Sequence, residues 1–213
     1  MRHPLLTSLL VSMALTTAGC ANDGSSLFVT GVAGLTEDCE VDDGLVRLNG
    51  TVDVTISNNL VIFPIFASQL RDRVSANAAN PADLHVQNVD VRLEDLGGNT
   101  LELGLPNPFR VPTSVFIESY MGSGEVPIGA GAVQVLPPGY AAAVAAATGG
   151  SVLAALRPVG RTNGGVEVEG NYDFHFQILV CSGCLSRCAM GEEVAVVACV
   201  PGQNDLEIIE CVP

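Results

Sequence analysis

Residues 166–180 read VEVEGNYDFHFQILV, and their alternation decides the fold class. Val166, Val168, Tyr172, Phe174, Phe176, Ile178 and Val180 share one parity, whereas Glu167, Glu169, Asp173, His175 and Gln177 share the other. A period of two puts apolar side chains on one face of a strand and polar ones on the other; a helix would scatter both. Gly170-Asn171 interrupts the run without shifting the parity, which predicts a bend or a tight turn between two strands.

The pattern recurs upstream. Over residues 45–56, Val46, Leu48, Gly50, Val52, Val54 and Ile56 alternate with Arg47, Asn49, Thr51, Asp53 and Thr55, which predicts a strand with one buried and one wet face. Val89, Val91 and Leu93 alternate with Asp90, Arg92 and Glu94 in the same way. Apolar runs at 27–32, 60–66, 100–103, 114–119, 130–136 and 152–159 supply further strands. Pro64 and Pro158 are expected to push theirs to a sheet edge or to end them. Gly98-Asn99 predicts a hairpin joining residues 89–96 to 100–103. Only residues 138–147 read as a helix, with Pro at the start, alanine-rich content and Gly149-Gly150 as the stop. Many short strands, glycine-rich turns and no βαβ rhythm predict an all-β fold over residues 27–180. The first choice is an antiparallel β-sandwich, immunoglobulin-like or Greek-key, and the second a closed barrel.

The chain of 213 residues carries 9 Lys+Arg, every one of them Arg, against 23 Asp+Glu, for a net charge of -14. A phosphate backbone or an anionic lipid surface would repel such a chain, so no nucleic acid partner is expected. With 48 % hydrophobic and only 15 % charged residues, it is not a disordered acidic tail.

Arg2 and His3 precede an uncharged apolar stretch at residues 5–18. It is too short to span a bilayer comfortably and has the length of an export-signal core. It runs into Leu15-Thr16-Thr17-Ala18-Gly19-Cys20. This resembles the lipobox of bacterial lipoproteins with a β-rich, cysteine-terminated ectodomain, in which small residues occupy the two positions before a cysteine. The resemblance covers the signal segment and departs at Thr17, where that family more often has Leu. It implies a signal peptide over residues 1–19, fatty acylation of Cys20 (palmitate-type chains) and a tether over residues 20–26. With Ala21 instead of Asp after the cysteine, it also implies anchoring in the outer membrane, so that the first partner is the lipid bilayer.

Seven cysteines less Cys20 leave six: Cys39, Cys181, Cys184, Cys188, Cys199 and Cys211. In an exported chain an even set reads as disulfides. Five of the six follow residue 180 with the spacing C-x2-C-x3-C-x10-C-x11-C. Five is odd, so at least one must pair with Cys39 if all six pair within the chain. Six cysteines permit about 15 connectivities; of these, Cys39–Cys181 with Cys184–Cys199 and Cys188–Cys211 is the expected one, making residues 181–213 a stapled tail packed on the sandwich. C-x2-C-x3-C could instead hold zinc or an iron–sulfur cluster, but thiolate metal sites are mostly intracellular, so no metal or cofactor is expected. Cys181-Ser-Gly-Cys184 as a redox pair would want a thioredoxin-like βαβ context, which the strand pattern lacks.

Little else proposes chemistry. His85 and His175 remain after signal removal; His175, beside Asp173 on the polar parity, would be a base if a hydroxyl approached it, and otherwise a solvated side chain. There is no G-x-S-x-G, H-E-x-x-H or P-loop sequence. Glu37, Asp38, Glu40, Asp42 and Asp43 would suit a loop calcium ion, but the EF-hand order fails because Asp43 stands where Gly is required. The absence of Trp weakens a sugar-binding reading. The expected role is a membrane-anchored envelope lipoprotein, structural or binding, without catalysis. The alternatives are an extracellular protein- or glycan-binding module and a hydrolase with a scattered site. An envelope protein partner suited to the acidic faces would present Arg or Lys. Replacing Cys20 with Ala is expected to move the protein from the membrane to the soluble fraction of lysed cells; continued sedimentation with membranes would reject the lipid anchor.

Overall fold

The computed structural model describes residues 26–36, 38–71, 80–185, 193–196, 199, 203 and 209–212. In chain order these form β1 (Leu27–Leu35), β2 (Val41–Arg47), β3 (Asn49–Asp53), β4 (Leu60–Ser68), β5 (Leu84–Glu94), β6 (Phe109–Ile117), β7 (Ile128–Ala130) and β8 (Val133–Leu136). There follow α1 (Tyr140–Thr148), β9 (Ser151–Thr162), β10 (Glu167–Glu169), β11 (Phe174–Cys181), β12 (Glu193–Val196) and β13 (Ile209–Val212). One sheet has the order β2-β1-β4-β7, with β8 also on β4; the other has the order β3-β11-β9-β5-β6, with β10 on β9. β12 and β13 form a separate antiparallel pair in the tail. The chain crosses repeatedly between the two sheets, and Phe66, Leu27 and Leu60 from one meet Phe176, Leu84, Leu93, Leu156 and Ile178 from the other, all fully buried. Burying each such side chain contributes roughly 1.5–3 kcal/mol. The fold is therefore a β-sandwich with one short helix, as the alternation predicts.

One ladder departs from the antiparallel expectation. β3 pairs with β11 in parallel, Asn49 opposite Gln177 through Asp53 opposite Cys181. The single strand expected over 45–56 is in fact two strands in different sheets. β2 is the outer strand of the first sheet, so Val46 and Leu48 stay exposed, Leu48 at 84 %. Past Leu48 the chain enters the second sheet, and only there do Gly50 and Val52 meet the core. Parity alone could not place that crossing, because an outer strand alternates without burying either face.

The 166–180 run also divides. β10 and β11 both pair with β9, and between them the Gly170 N–H donates to the Pro158 carbonyl at 2.9 Å. Phe176, Ile178 and Val180 are buried, whereas Tyr172, expected inward, is 63 % exposed because it lies in the break between the strands.

Pro158 lies in a central strand, as does Pro64, against expectation. β11 covers β9 up to Leu156 and β10 from Val159, so Pro158 falls in the gap. On β4, β8 covers Leu60–Ile62 and β7 covers Ile65–Ala67, with Pro64 between them. A missing N–H is tolerated where the neighbouring strand changes identity. After β5, the Asp95 N–H donates to the Asn99 carbonyl at 2.9 Å, closing the expected turn, but residues 101–103 form no strand. The Leu101 N–H reaches the Leu93 carbonyl at 2.9 Å, and the Asn107 side chain completes this edge of β5: it accepts the Leu93 N–H at 2.8 Å and donates to the Leu93 and Leu101 carbonyls at 2.9 and 2.8 Å.

Cys39, in the β1–β2 turn, is bonded to Cys199, with Cα atoms 5.3 Å apart over a separation of 160 residues. Cys181 is bonded to Cys184, so neither Cys39–Cys181 nor Cys184–Cys199 forms. The reason is register. The β3–β11 ladder fixes Cys181 opposite Asp53, and its sulfur meets the turn that follows, leaving the reach back to Cys39 to a later residue. Cys20, Cys188, the leader and most of the tether lie outside the described residues, and of Cys211 only its place in β13 is described.

α1 bridges β8 to β9 and buries Tyr140, Ala141 and Val144. Gly149 ends it in a left-handed conformation at φ 71° with open space around a would-be Cβ. Gly150, at φ 108°, packs directly on the Val180 carbonyl of β11, and its own carbonyl accepts the Val180 N–H at 2.6 Å. Gly149→Ala is expected to cost about 1 kcal/mol, from backbone conformation alone. Gly150→Ala adds a backbone collision and is expected to cost about 3 kcal/mol or more. Equal losses in urea denaturation would contradict this junction.

Candidate functional site

The outward face of the second sheet carries charge in register. Asp90 on β5 lies opposite Arg110 on β6 and Arg157 on β9, and Asp173 adjoins the start of β11 beside Arg157. The row therefore reads +, −, +, − across four strands. These residues point outward because Val89 and Val91 on β5 and Leu156 on β9, of the opposite parity, fill the core. Arg110 grips Asp90 with two bonds, Nε to Oδ1 at 2.6 Å and Nη2 to Oδ2 at 2.7 Å. Arg157 Nε donates to Asp173 Oδ1 at 2.9 Å. Arg92 links two carboxylates, donating from Nη2 to Asp173 Oδ2 at 2.7 Å and from Nε to Glu94 Oε1 at 2.6 Å. Burial pushes the Asp173 carboxyl upward, but the hydrogen bonds and charges of Arg157 and Arg92 outweigh it and hold it below the usual carboxylate range.

Ala155 lies between Arg92 and His175 in the cross-strand register. Its methyl group leaves a hollow among longer neighbours. The resulting groove has a volume of about 350 Å³, with Arg92, Arg110 and Arg157 at its sides and Phe109 and Pro108 as an apolar wall. Guanidinium forks held from one side by carboxylates are preorganised, and each retains N–H groups to offer a ligand.

His85 and His175 lie on this same sheet. His175 Nε2 is 3.2 Å from Glu94 Oε2, so its near partner is the buried Glu94. His85 lies against Phe116 across β5 and β6, with ring centroids 4.9 Å apart.

A second cluster lies where β3 and β11 end. Asp53 is fully buried. Its Oδ1 accepts the Thr55 hydroxyl at 2.6 Å and the N–H groups of Thr55 and Gly183 at 3.0 and 2.8 Å. Its Oδ2 accepts the Leu185 N–H at 2.9 Å. One carboxylate thus gathers the Cys181-Ser-Gly-Cys184 turn onto β3. Burial raises its pKa, but the bonds from Thr55, Leu185 and Gly183 outweigh that and bring it down to about 2. Ligand atoms of Asp53, Cys181 and Cys184 all lie within 4.8 Å of one another, yet the two sulfurs are bonded together and do not form a thiolate pair for a metal.

The tail is held again at Gln203, which is buried and pairs with Val52 of β3 through a backbone bridge. Its side chain accepts the Val61 N–H and donates to the Asn59 carbonyl, both at 3.2 Å. By loop length alone, the Cys39–Cys199 bridge contributes roughly 5 kcal/mol and Cys181–Cys184 about 2 kcal/mol. Glu37 lies outside the described residues; among the described ones of the acidic stretch, Asp42 Oδ1 accepts the Gly44 N–H at 2.9 Å, and Asp42 and Asp43, successive on exposed β2, point to opposite faces.

Arg110 and Arg157 carry no motif; their only sequence signal was lone positive charges at outward positions of strands. Asp53 read as one more polar residue of an alternating run. No family model matches the chain, and no significant match is found among curated proteins or solved structures.

Asp53 has a folded pKa of about 2 against an ordinary value of 3.8, so the carboxylate stabilises the fold above about pH 4. That contribution, roughly 2 kcal/mol, is lost as pH falls toward 2. Asp53→Ala is expected to cost about 2 kcal/mol or more at pH 7, by removing the shared charged acceptor of the Thr55, Gly183 and Leu185 N–H groups, and to flatten the acid limb of the stability profile between pH 4 and 2. An unchanged acid limb would show that Asp53 does not carry it.

Proposed function

We propose that this chain is a lipoprotein of the bacterial cell envelope, anchored in the outer membrane through acylated Cys20, whose sandwich is a binding body. The arginine–carboxylate groove is its contact face. One observation carries the binding role: three of the 9 basic residues of a chain with net charge -14 surround a single groove on an outward sheet face. A charge balance that acidic has few cations to spend on one side of one sheet. The partner is a polypeptide surface of mixed charge, because the groove alternates guanidinium and carboxylate at the roughly 4.8 Å spacing of neighbouring strands. Its carboxylate-bearing side chains would meet the free edges of the guanidiniums, and an apolar side chain would rest on Phe109 and Pro108. The groove's polar groups are pairing groups and not nucleophiles, which favours binding over hydrolysis. The disulfide ties of the tail suit an exported protein in an oxidising compartment.

Affinity capture from detergent-solubilised envelopes tests this reading. The wild-type chain is expected to retain a partner that the Arg110→Ala/Arg157→Ala variant loses and that is released as salt is raised. His85→Ala, away from the groove, is expected to retain it. Capture indifferent to the arginine pair would overturn the assignment of the groove.

A further inference from the structure

We infer that Cys181–Cys184 is a thiol-exchanging disulfide, separable from the Cys39–Cys199 tie, and that the Asp53 carboxylate holds it in the oxidised form. The two bridges differ in what depends on them. Cys39–Cys199 joins residues 160 apart, whereas Cys181–Cys184 joins residues 3 apart. The short bridge also closes a turn that is already held without it. The Gly183 and Leu185 N–H groups are bonded to Asp53, and the Val54 N–H donates to the Cys181 carbonyl at 2.9 Å. Opening the bridge therefore leaves the turn, the β3–β11 ladder and the long tie in place.

Access is one-sided. Cys184 is exposed, while Cys181 is half-buried with its sulfur 3.5 Å from the Val52 carbonyl. An incoming thiolate attacks Cys184 Sγ. A bond forms between the two sulfurs, the Cys181–Cys184 bond breaks, and the electron pair leaves on Cys181 Sγ. That sulfur takes a proton from water and donates it toward the Val52 carbonyl. When the reductant is a dithiol, its second thiolate attacks its own sulfur in the mixed disulfide and releases Cys184, which is protonated in turn. The chain gains two electrons and two protons, and the dithiol becomes a disulfide.

Asp53 governs the direction. In sites that favour thiolates, positive charge or N–H groups face the sulfur. Here the turn's N–H groups at 183 and 185 go to the carboxylate, and its charge lies within 4.8 Å of both sulfurs. A thiolate beside it is disfavoured, so Cys181 is a poor leaving group and the disulfide is the resting form. Once reduced, the pair is a reductant toward disulfides of other proteins.

The test uses the full-length protein in detergent, treated with graded dithiothreitol, acid-quenched, alkylated and read by peptide mass. Cys181 and Cys184 are expected to become alkylated at a dithiothreitol concentration about tenfold below that needed for Cys39 and Cys199, with unchanged far-ultraviolet circular dichroism. In the reduced protein, alkylation of Cys181 is expected to titrate above the ordinary cysteine value of about 8.5. Asp53→Asn is expected to speed reduction severalfold and to move that titration down, which a purely structural role would not do. Simultaneous reduction of both bridges, loss of circular dichroism with the first pair, or a wild-type Cys181 titration at or below the ordinary value would each overturn the inference. These three readouts need no variant, so they stand even if Asp53→Asn does not fold.

Discussion

The parallel ladder between β3 and β11 is the contact on which the rest of this molecule depends. It joins residues 49–53 to residues 177–181 and so builds one edge of the second sheet from two segments more than a hundred residues apart in the chain. The two ladders of β11 between them determine two sites. At one end the ladder with β3 brings Cys181 opposite Asp53, which places the carboxylate under the following turn. Along the same strand, the pairing of β11 with β9 sets His175 opposite Ala155 and Asp173 beside Arg157. A slip of one residue would turn Phe176 and Ile178 out of the core and His175 into it, so hydrophobic burial enforces the register that the polar groups need.

The outward face of that sheet shows how charge is arranged where burial does not decide it. Exposed pairs such as Arg110–Asp90 contribute little to stability by themselves. Arg92 differs, because it spans Glu94 and Asp173, two carboxylates largely removed from solvent. Removing Arg92 would take the guanidinium from the buried Glu94 and leave Asp173 with Arg157 alone, a larger cost than losing one exposed pair. The network is thus rigid at its centre and more open at its Arg110 rim, a suitable build for a contact face around a hollow made by one alanine.

The tail is joined to the sandwich by contacts of different chemical kinds. A disulfide ties Cys199 to the β1–β2 turn of the first sheet, hydrogen bonds tie residues 183 and 185 to Asp53 of the second, and Gln203 reaches both β3 and β4. The tail therefore fastens the two sheets to each other at the side where β2 leaves one and β3 enters the other. That is also where the alternating run over residues 45–56 changes sheets, an event to which its parity gives no clue.

Alternation, turn residues and cysteine parity were enough to read a β-sandwich with one helix and a tail tied back to Cys39. These are local or arithmetical properties: side-chain period follows from strand geometry, and an odd set of tail cysteines must look outside itself. The tertiary structure alone decided which strand neighbours which, why Pro64 and Pro158 fit in central strands, and which cysteine reaches Cys39. It alone made a site of Asp90 and Arg92 from β5, Arg110 from β6, Arg157 from β9 and Asp173 from the approach to β11. Each of those residues obeys the outward parity in its own strand, but their convergence depends on strand order and register, which are set by the fit of two apolar faces across the core.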